Sequence, residues 1–163
     1  MKIQQRLESY RRNRNCTLLG VGPMSKNCVD ASIELAEQYK TPLMLIASRR
    51  QIDSEQFGGG YVENWSTRQF ADYVQSKDIN KNIILARDHG GPWQNELEKS
   101  QNMNLEDAMK SAKDSYKADI DADFHMLHID PSVDIHSQPN VDQILERVYE
   151  LYDFCWSYAM QKN

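Results

Sequence analysis

Apolar residues recur along the chain in two alternating rhythms. Four short stretches are apolar almost without interruption: Cys16–Val21, Pro42–Ser48, Asn82–Ala86 and Phe124–Ile129. Between them, apolar residues return every three or four positions. Unbroken apolar runs of strand length, separated by helix-period segments, predict strands buried in a parallel sheet rather than half-exposed alternating strands. The pattern therefore reads as four consecutive βα units.

The helix starts are legible in the sequence. Over Asn27–Lys40, Val29, Ile33 and Ala36 share one face. Ser66 and Gln69 form a capping box, flanked by the staple pair Trp65 and Phe70, which predicts a helix from Thr67 through Phe70, Tyr73 and Val74. Asn104 precedes a helix with the stripe Leu105, Ala108, Met109, Ala112 and Tyr116. Asn140 with Gln143 opens the last one, whose Val141, Ile144, Leu145, Val148, Leu151, Tyr152 and Cys155 predict a wide apolar face. Ile3, Leu7 and Tyr10 suggest a short lead-in helix capping the bottom of the fold. All these stripes read as core.

Repeated βα units close right-handed, which leaves a doubly wound sheet or a barrel. The first turn, Gly20-Val21-Gly22-Pro23-Met24-Ser25, lacks the third glycine of a dinucleotide fingerprint and carries a proline. No Walker pattern occurs either. A flavodoxin-like sheet stays open as the alternative.

Composition narrows the partners more than the fold. With 163 residues, the chain has room for one domain, taken as residues 1–163. A formal charge of −5 offers no basic surplus for nucleic acid. The absence of any apolar run of about 18 residues argues against a membrane span. The N-terminus has arginines but no apolar signal core. Cys16, Cys28 and Cys155 show no paired or zinc-like spacing, so they read as reduced thiols of a cytoplasmic protein.

In a parallel α/β fold, chemistry gathers beyond the C-terminal strand ends. Asp88-His89, in a glycine-rich turn, offers a proton-transferring carboxylate beside a metal-binding imidazole. The plainer reading pairs Asp88 with Arg87 and leaves His89 exposed. His128 and Asp130, two apart on a strand, share a face, while His125 points the other way and is expected to pack among helices. His136 is expected in a loop. Asp119, Asp121 and Asp123 resemble the start of a calcium loop, but Phe124 stands where glycine is required; they are expected as solvated turn residues.

Three motifs then combine. Gln51 and Gln56 frame a Q-x-x-x-x-Q-F-G-G loop ending in Gly58-Gly59, Asp88 to Pro92 forms a D-H-x-G-P turn, and His128 to Asp130 forms an H-x-D strand end. Over about Gly20 to Asp134, this combination resembles the tagatose-bisphosphate aldolase accessory-subunit family, which also contains tagatose 6-phosphate 4-epimerases. The resemblance implies an aldolase-type (β/α)8 TIM barrel acting on a phosphorylated ketose. It implies a divalent metal, zinc by class II analogy, with His89 as ligand and Asp88 as the acid/base. Gln51, Gln56, Gly58, Gly59, His128 and Asp130 are expected to approach the sugar. The chain departs from the family in reading D-H-G-G-P for D-H-L-G-P, and Ala47-Ser48-Arg49-Arg50 where the family is more acidic.

A barrel needs eight βα units in about 250 residues, and four are present here. The expectation is a half-barrel that belongs to a longer polypeptide, forms a homo-oligomer or pairs with a catalytic aldolase subunit. The phosphate site after strands seven and eight would lie outside it. Two functions stay open: metal-dependent aldol cleavage or C4 epimerisation in the full-length relative, or a non-catalytic subunit stabilising a class II aldolase.

Overall fold

The computed structural model describes residues 3–13 and 17–162. A lead-in helix, α1 (Ile3–Asn13), precedes β1 (Gly20–Val21), α2 (Lys26–Tyr39), β2 (Leu43–Ser48), a 3-10 turn at Glu55–Phe57 and α3 (Thr67–Lys77). Then come β3 (Ile83–Gly90), α4 (Glu96–Ser100), α5 (Leu105–Asp121), β4 (Met126–Ile129) and α6 (Val141–Lys162). The strands lie in the order β1-β2-β3-β4, all parallel.

The caps act as the sequence requires. Ser25 accepts from the Cys28 amide, the Ser66–Gln69 box is reciprocal, and Asn104 accepts from the Asp107 amide. Asn140 and Gln143 likewise exchange side-chain and backbone hydrogen bonds. Each satisfies backbone donors that a helix start leaves unpaired.

Sheet register sorts the residues into two faces. Leu43↔Ile83, Leu45↔Leu85 and Ala47↔Arg87 are paired, and this face packs on Val29, Ile33 and Ala36 of α2 and on Phe70, Ala71 and Val74 of α3. Met109, Ala112, Tyr116, Leu151 and Cys155 form a second cluster against Leu127 and Ile129. The opposite face carries Ile46↔Ala86, Ser48↔Asp88 and Ala86↔Met126. Because side chains alternate along a strand, His128 shares that face with Met126 and Asp88.

Five expectations need correction. β1 is only Gly20–Val21, and Cys16 lies outside the described residues. β3 runs on to Gly90, so Asp88 and His89 stand in the strand and not in a turn. Asp119 and Asp121 are helical, and Asp119 is fully buried: Arg87, itself buried, draws it into the core. His125 is exposed rather than packed among helices, its Nδ1 accepting from the Leu85 amide at 3.0 Å. On α6, Leu151 and Cys155 are buried but Val141, Leu145 and Tyr152 are exposed, since nothing among the described residues covers that side.

Candidate functional site

The site is built on an irregularity in the sheet. Between the pairs Arg87↔Leu127 and Gly90↔Ile129, two residues of β3, Asp88 and His89, stand against the single His128 of β4. Such a bulge bends the strand and re-aims its side chains, a device common next to active sites. His89 takes a positive φ of 45°, in the left-handed region, which for a non-glycine residue requires support from its surroundings. The Tyr116 hydroxyl, buried in α5, bonds the carbonyls of Gly90 and His128 and so fastens both strands at the bulge.

The bulge brings three groups together. Asp88 Oδ2 lies 3.7 Å from His89 Nε2, and Asp88 Oδ1 lies 3.5 Å from His128 Nδ1. One donor atom from each of the three residues fits within a 4.8 Å cluster. One carboxylate and two imidazoles make a donor set suited to zinc or a similar divalent ion, so the residues present fit the metal that the resemblance implies.

Behind His89 stands Asp130. Its Oδ2 accepts from His89 Nδ1 at 2.6 Å and from Gln94 Nε2 at 3.2 Å. Its Oδ1 accepts from the Ser132 amide at 3.2 Å and hydroxyl at 2.5 Å. The hydrogen bond that His89 donates to Asp130, with the negative charges of Asp88 and Asp130, raises the His89 pKa against a smaller cost of burial. Burial opposes the Asp130 charge, but the donors from His89 and Ser132 outweigh it and hold its pKa below the ordinary carboxylate range.

A hollow of about 590 Å³ opens over this end of the sheet. Ser48, Gln51, Asp88, His89 and Asp130 line it, and Arg50 and Lys99 bring two cations to its wall. A different set of charges lies on the helix side of the same strand ends. Arg49, fully buried, pairs with Asp53 at 3.0 Å and Glu98 at 2.6 Å, and donates to the Gly91 carbonyl at 2.9 Å. Arg87 forms a two-pronged pair with Asp119 at 2.8 and 2.5 Å. Asp53 is saturated by Asn95, Ser115 and the Ser54 amide. Buried charges persist only when paired and hydrogen-bonded in this way.

A family model described as D-tagatose-1,6-bisphosphate aldolase subunit GatZ/KbaZ-like matches residues 3–160. The chain belongs to this family. Its fold is also similar to a crystal structure described as that of a probable tagatose 6 phosphate kinase from Sinorhizobium meliloti 1021, with a TM-score of 0.72 at 19% identity. That likeness covers 88% of this chain but 37% of the other, so the GatZ/KbaZ-like chain spans little more than a third of its neighbour's length. At that identity the likeness speaks for the fold alone.

Of the residues the sequence singles out, Asp88, His89, His128 and Asp130 come together, and Gln51 joins them at the wall of the hollow. Gln51 is buried and already engaged: it accepts from the Ser48 amide at 2.9 Å, and its Nε2 faces the Met24 sulfur at 3.3 Å. Gly58 and Gly59 line an adjoining hollow, which shares Arg50, Tyr61 and Lys99 with the first. Gln56 is exposed on the 3-10 turn and lines neither. The suggested Asp88–Arg87 pair does not form, because consecutive strand residues face opposite sides and Arg87 is taken by Asp119. Sequence reasoning missed Arg50, Gln94, Lys99 and Ser132. Arg50 and Gln94 flank recognised motifs, but Lys99 comes from α4, a five-residue helix whose only advance signal is the Asn95 cap.

Among the described residues, no helix is long and apolar enough to cross a membrane. The histidine expected in a loop, His136, is found there, its Nε2 2.8 Å from the Met103 carbonyl.

Proposed function

We propose that this chain carries a divalent-metal site for a phosphorylated ketose, serving aldol cleavage or C4 epimerisation, on four βα units of an eight-unit barrel. The observation that carries this reading is the convergence of Asp88, His89 and His128 at the β3–β4 bulge of a chain in an aldolase-subunit family. His89 and His128 would hold the ion, zinc being the one their nitrogen donors favour. Once bound, such an ion supplies Lewis-acid polarisation of the ketose oxygens.

The remaining work falls to the chain's own side chains. Asp88, about a third exposed at the hollow, takes the proton of the hydroxyl beside the reacting carbon and later returns it. Gln51 and Gln94 line the wall against which sugar hydroxyls would lie, their amides already held in place by Ser48 and Asp130. Arg50 and Lys99 place positive charge where a phosphate group would enter, although Glu96, 2.9 Å from Arg50, partly offsets it. Gly58 and Gly59 shape the adjoining rim, and Gln56 has no part in this reading.

A second reading is a non-catalytic subunit that stabilises a catalytic aldolase chain. It is favoured by the family description, which names a subunit. We expect the 163-residue chain alone to turn over neither tagatose 1,6-bisphosphate nor tagatose 6-phosphate, because four strands do not close a barrel. The deciding assay adds a class II tagatose-bisphosphate aldolase to wild-type chain and to Asp88→Asn. Metal-dependent turnover lost in Asp88→Asn supports the catalytic reading. Turnover that rises with the partner and is indifferent to Asp88→Asn supports the accessory one and overturns the first.

A further inference from the structure

We propose that Asp130 is a positioning residue: it fixes the His89 imidazole as the Nδ1–H tautomer and leaves Nε2 as the metal-facing atom, instead of binding substrate. This rests on the metal-site reading above. The first argument is saturation. The Asp130 carboxylate has about four lone-pair directions, and four donors occupy them: His89 Nδ1, Gln94 Nε2, and the amide and hydroxyl of Ser132. A sugar hydroxyl would have to displace one of these.

The second argument is geometry. An ionised carboxylate only accepts, so the 2.6 Å contact places the proton on Nδ1. The other ring nitrogen, Nε2, is then the lone-pair atom, and it is this atom that faces Asp88 at 3.7 Å. A histidine ligand with its second nitrogen donating to a carboxylate is the recurring arrangement of metal sites, because it sets tautomer and ring orientation together.

The backbone is arranged to keep Asp130 at this spot. Its amide donates to the Gly90 carbonyl at 2.6 Å, closing the sheet just beyond the bulge. Gly91 packs so tightly on the Asp130 carbonyl that any Cβ there would collide with it. Thus the second glycine of the Gly90-Gly91 pair lets the β4 end approach, and the approach delivers the carboxylate to the ring of a left-handed His89.

A mere staple between strand ends would need Asp130 too, so the test must read the imidazole itself. Histidine-labelled chain without metal would be studied by nitrogen NMR at a pH where the ring is neutral, with His89→Gln assigning the signal. Wild type should show His89 protonated at Nδ1 and bare at Nε2, and Asp130→Ala should lose that preference. Zn2+ titration should then show affinity falling about 10–100-fold in Asp130→Ala, with Asp130→Glu recovering part of it. Wild-type His89 protonated at Nε2 would overturn the inference. So would an Asp130→Ala protein with tautomer and affinity unchanged. Should Asp130→Ala fail to fold, the wild-type spectrum and Asp130→Asn still decide. If no form of the chain binds Zn2+ while the tautomer follows Asp130, the metal reading fails and the positioning role stands.

Discussion

Arg87 and Asp88 are adjacent in β3 and live in different worlds. Arg87 faces the helices, fully buried, with Asp119 and two backbone carbonyls as partners. Asp88 faces the open end, a third exposed, between two histidines more than half exposed. The pleat alone separates them. On the helix side, charge is sealed in and paired, so it holds strand ends to helices. On the open side, charge is left within reach of solvent and solutes, which chemistry requires.

The contrast breaks most visibly if Arg87 loses its charge. Arg87→Met leaves Asp119 buried and unpaired, and should destabilise the fold by about 3–5 kcal/mol, read from the midpoint of denaturant unfolding. Asp88→Asn should stay within about 0.5 kcal/mol of wild type, as for a surface change. Equal losses in the two variants would erase the distinction.

Gly91→Ala sits on the seam between the two sides, against the Asp130 carbonyl and the buried Arg49 guanidinium. Overpacking there should cost about 1–3 kcal/mol and weaken Zn2+ binding at the same time. Loss of stability without any change in metal affinity would separate the turn from the site.

A smaller effect belongs to the loop between β4 and α6. Burial opposes the charge of Asp134, yet Arg147 at 2.7 Å and the amides of His136 and Ser137 hold its pKa down at about 2. Because this lies below the value of about 3.9 in an unfolded chain, the stabilisation is present above about pH 4. It is lost as the pH falls toward 2. We expect about 1–2 kcal/mol in that window, reduced in Arg147→Met, where only the His136 and Ser137 donors remain, and measurable as a flatter acid limb in that variant's thermal melts.

Much of this architecture was legible in the sequence because it depends on local chemistry. The caps at Ser66, Asn104 and Asn140 and the four apolar runs each signal within a few residues. The strand-end cluster was legible for the same reason: Asp88-His89 and His128-x-Asp130 sit where parallel strands end. What escaped depends on distant partners. Asp119 is a buried ion-pair partner only because Arg87, thirty-two positions earlier, points at it. The bulge escaped because register is a property of two strands and not of one. Two of the donors around Asp130, His89 and Gln94, come from 41 and 36 positions earlier, which no local pattern announces. Lys99 reached the hollow on a helix too short to leave a periodic signal.

The account turns on whether His89 and His128, converging beside Asp88, hold one metal ion. Co2+ titration of the wild-type chain, followed by its visible absorption, tests this directly. The account predicts one ion per chain with a spectrum showing imidazole ligation, and loss of that spectrum in His89→Gln and in His128→Gln while both variants unfold as wild type does. A wild-type chain that binds no Co2+, or one whose spectrum survives both substitutions, would contradict it.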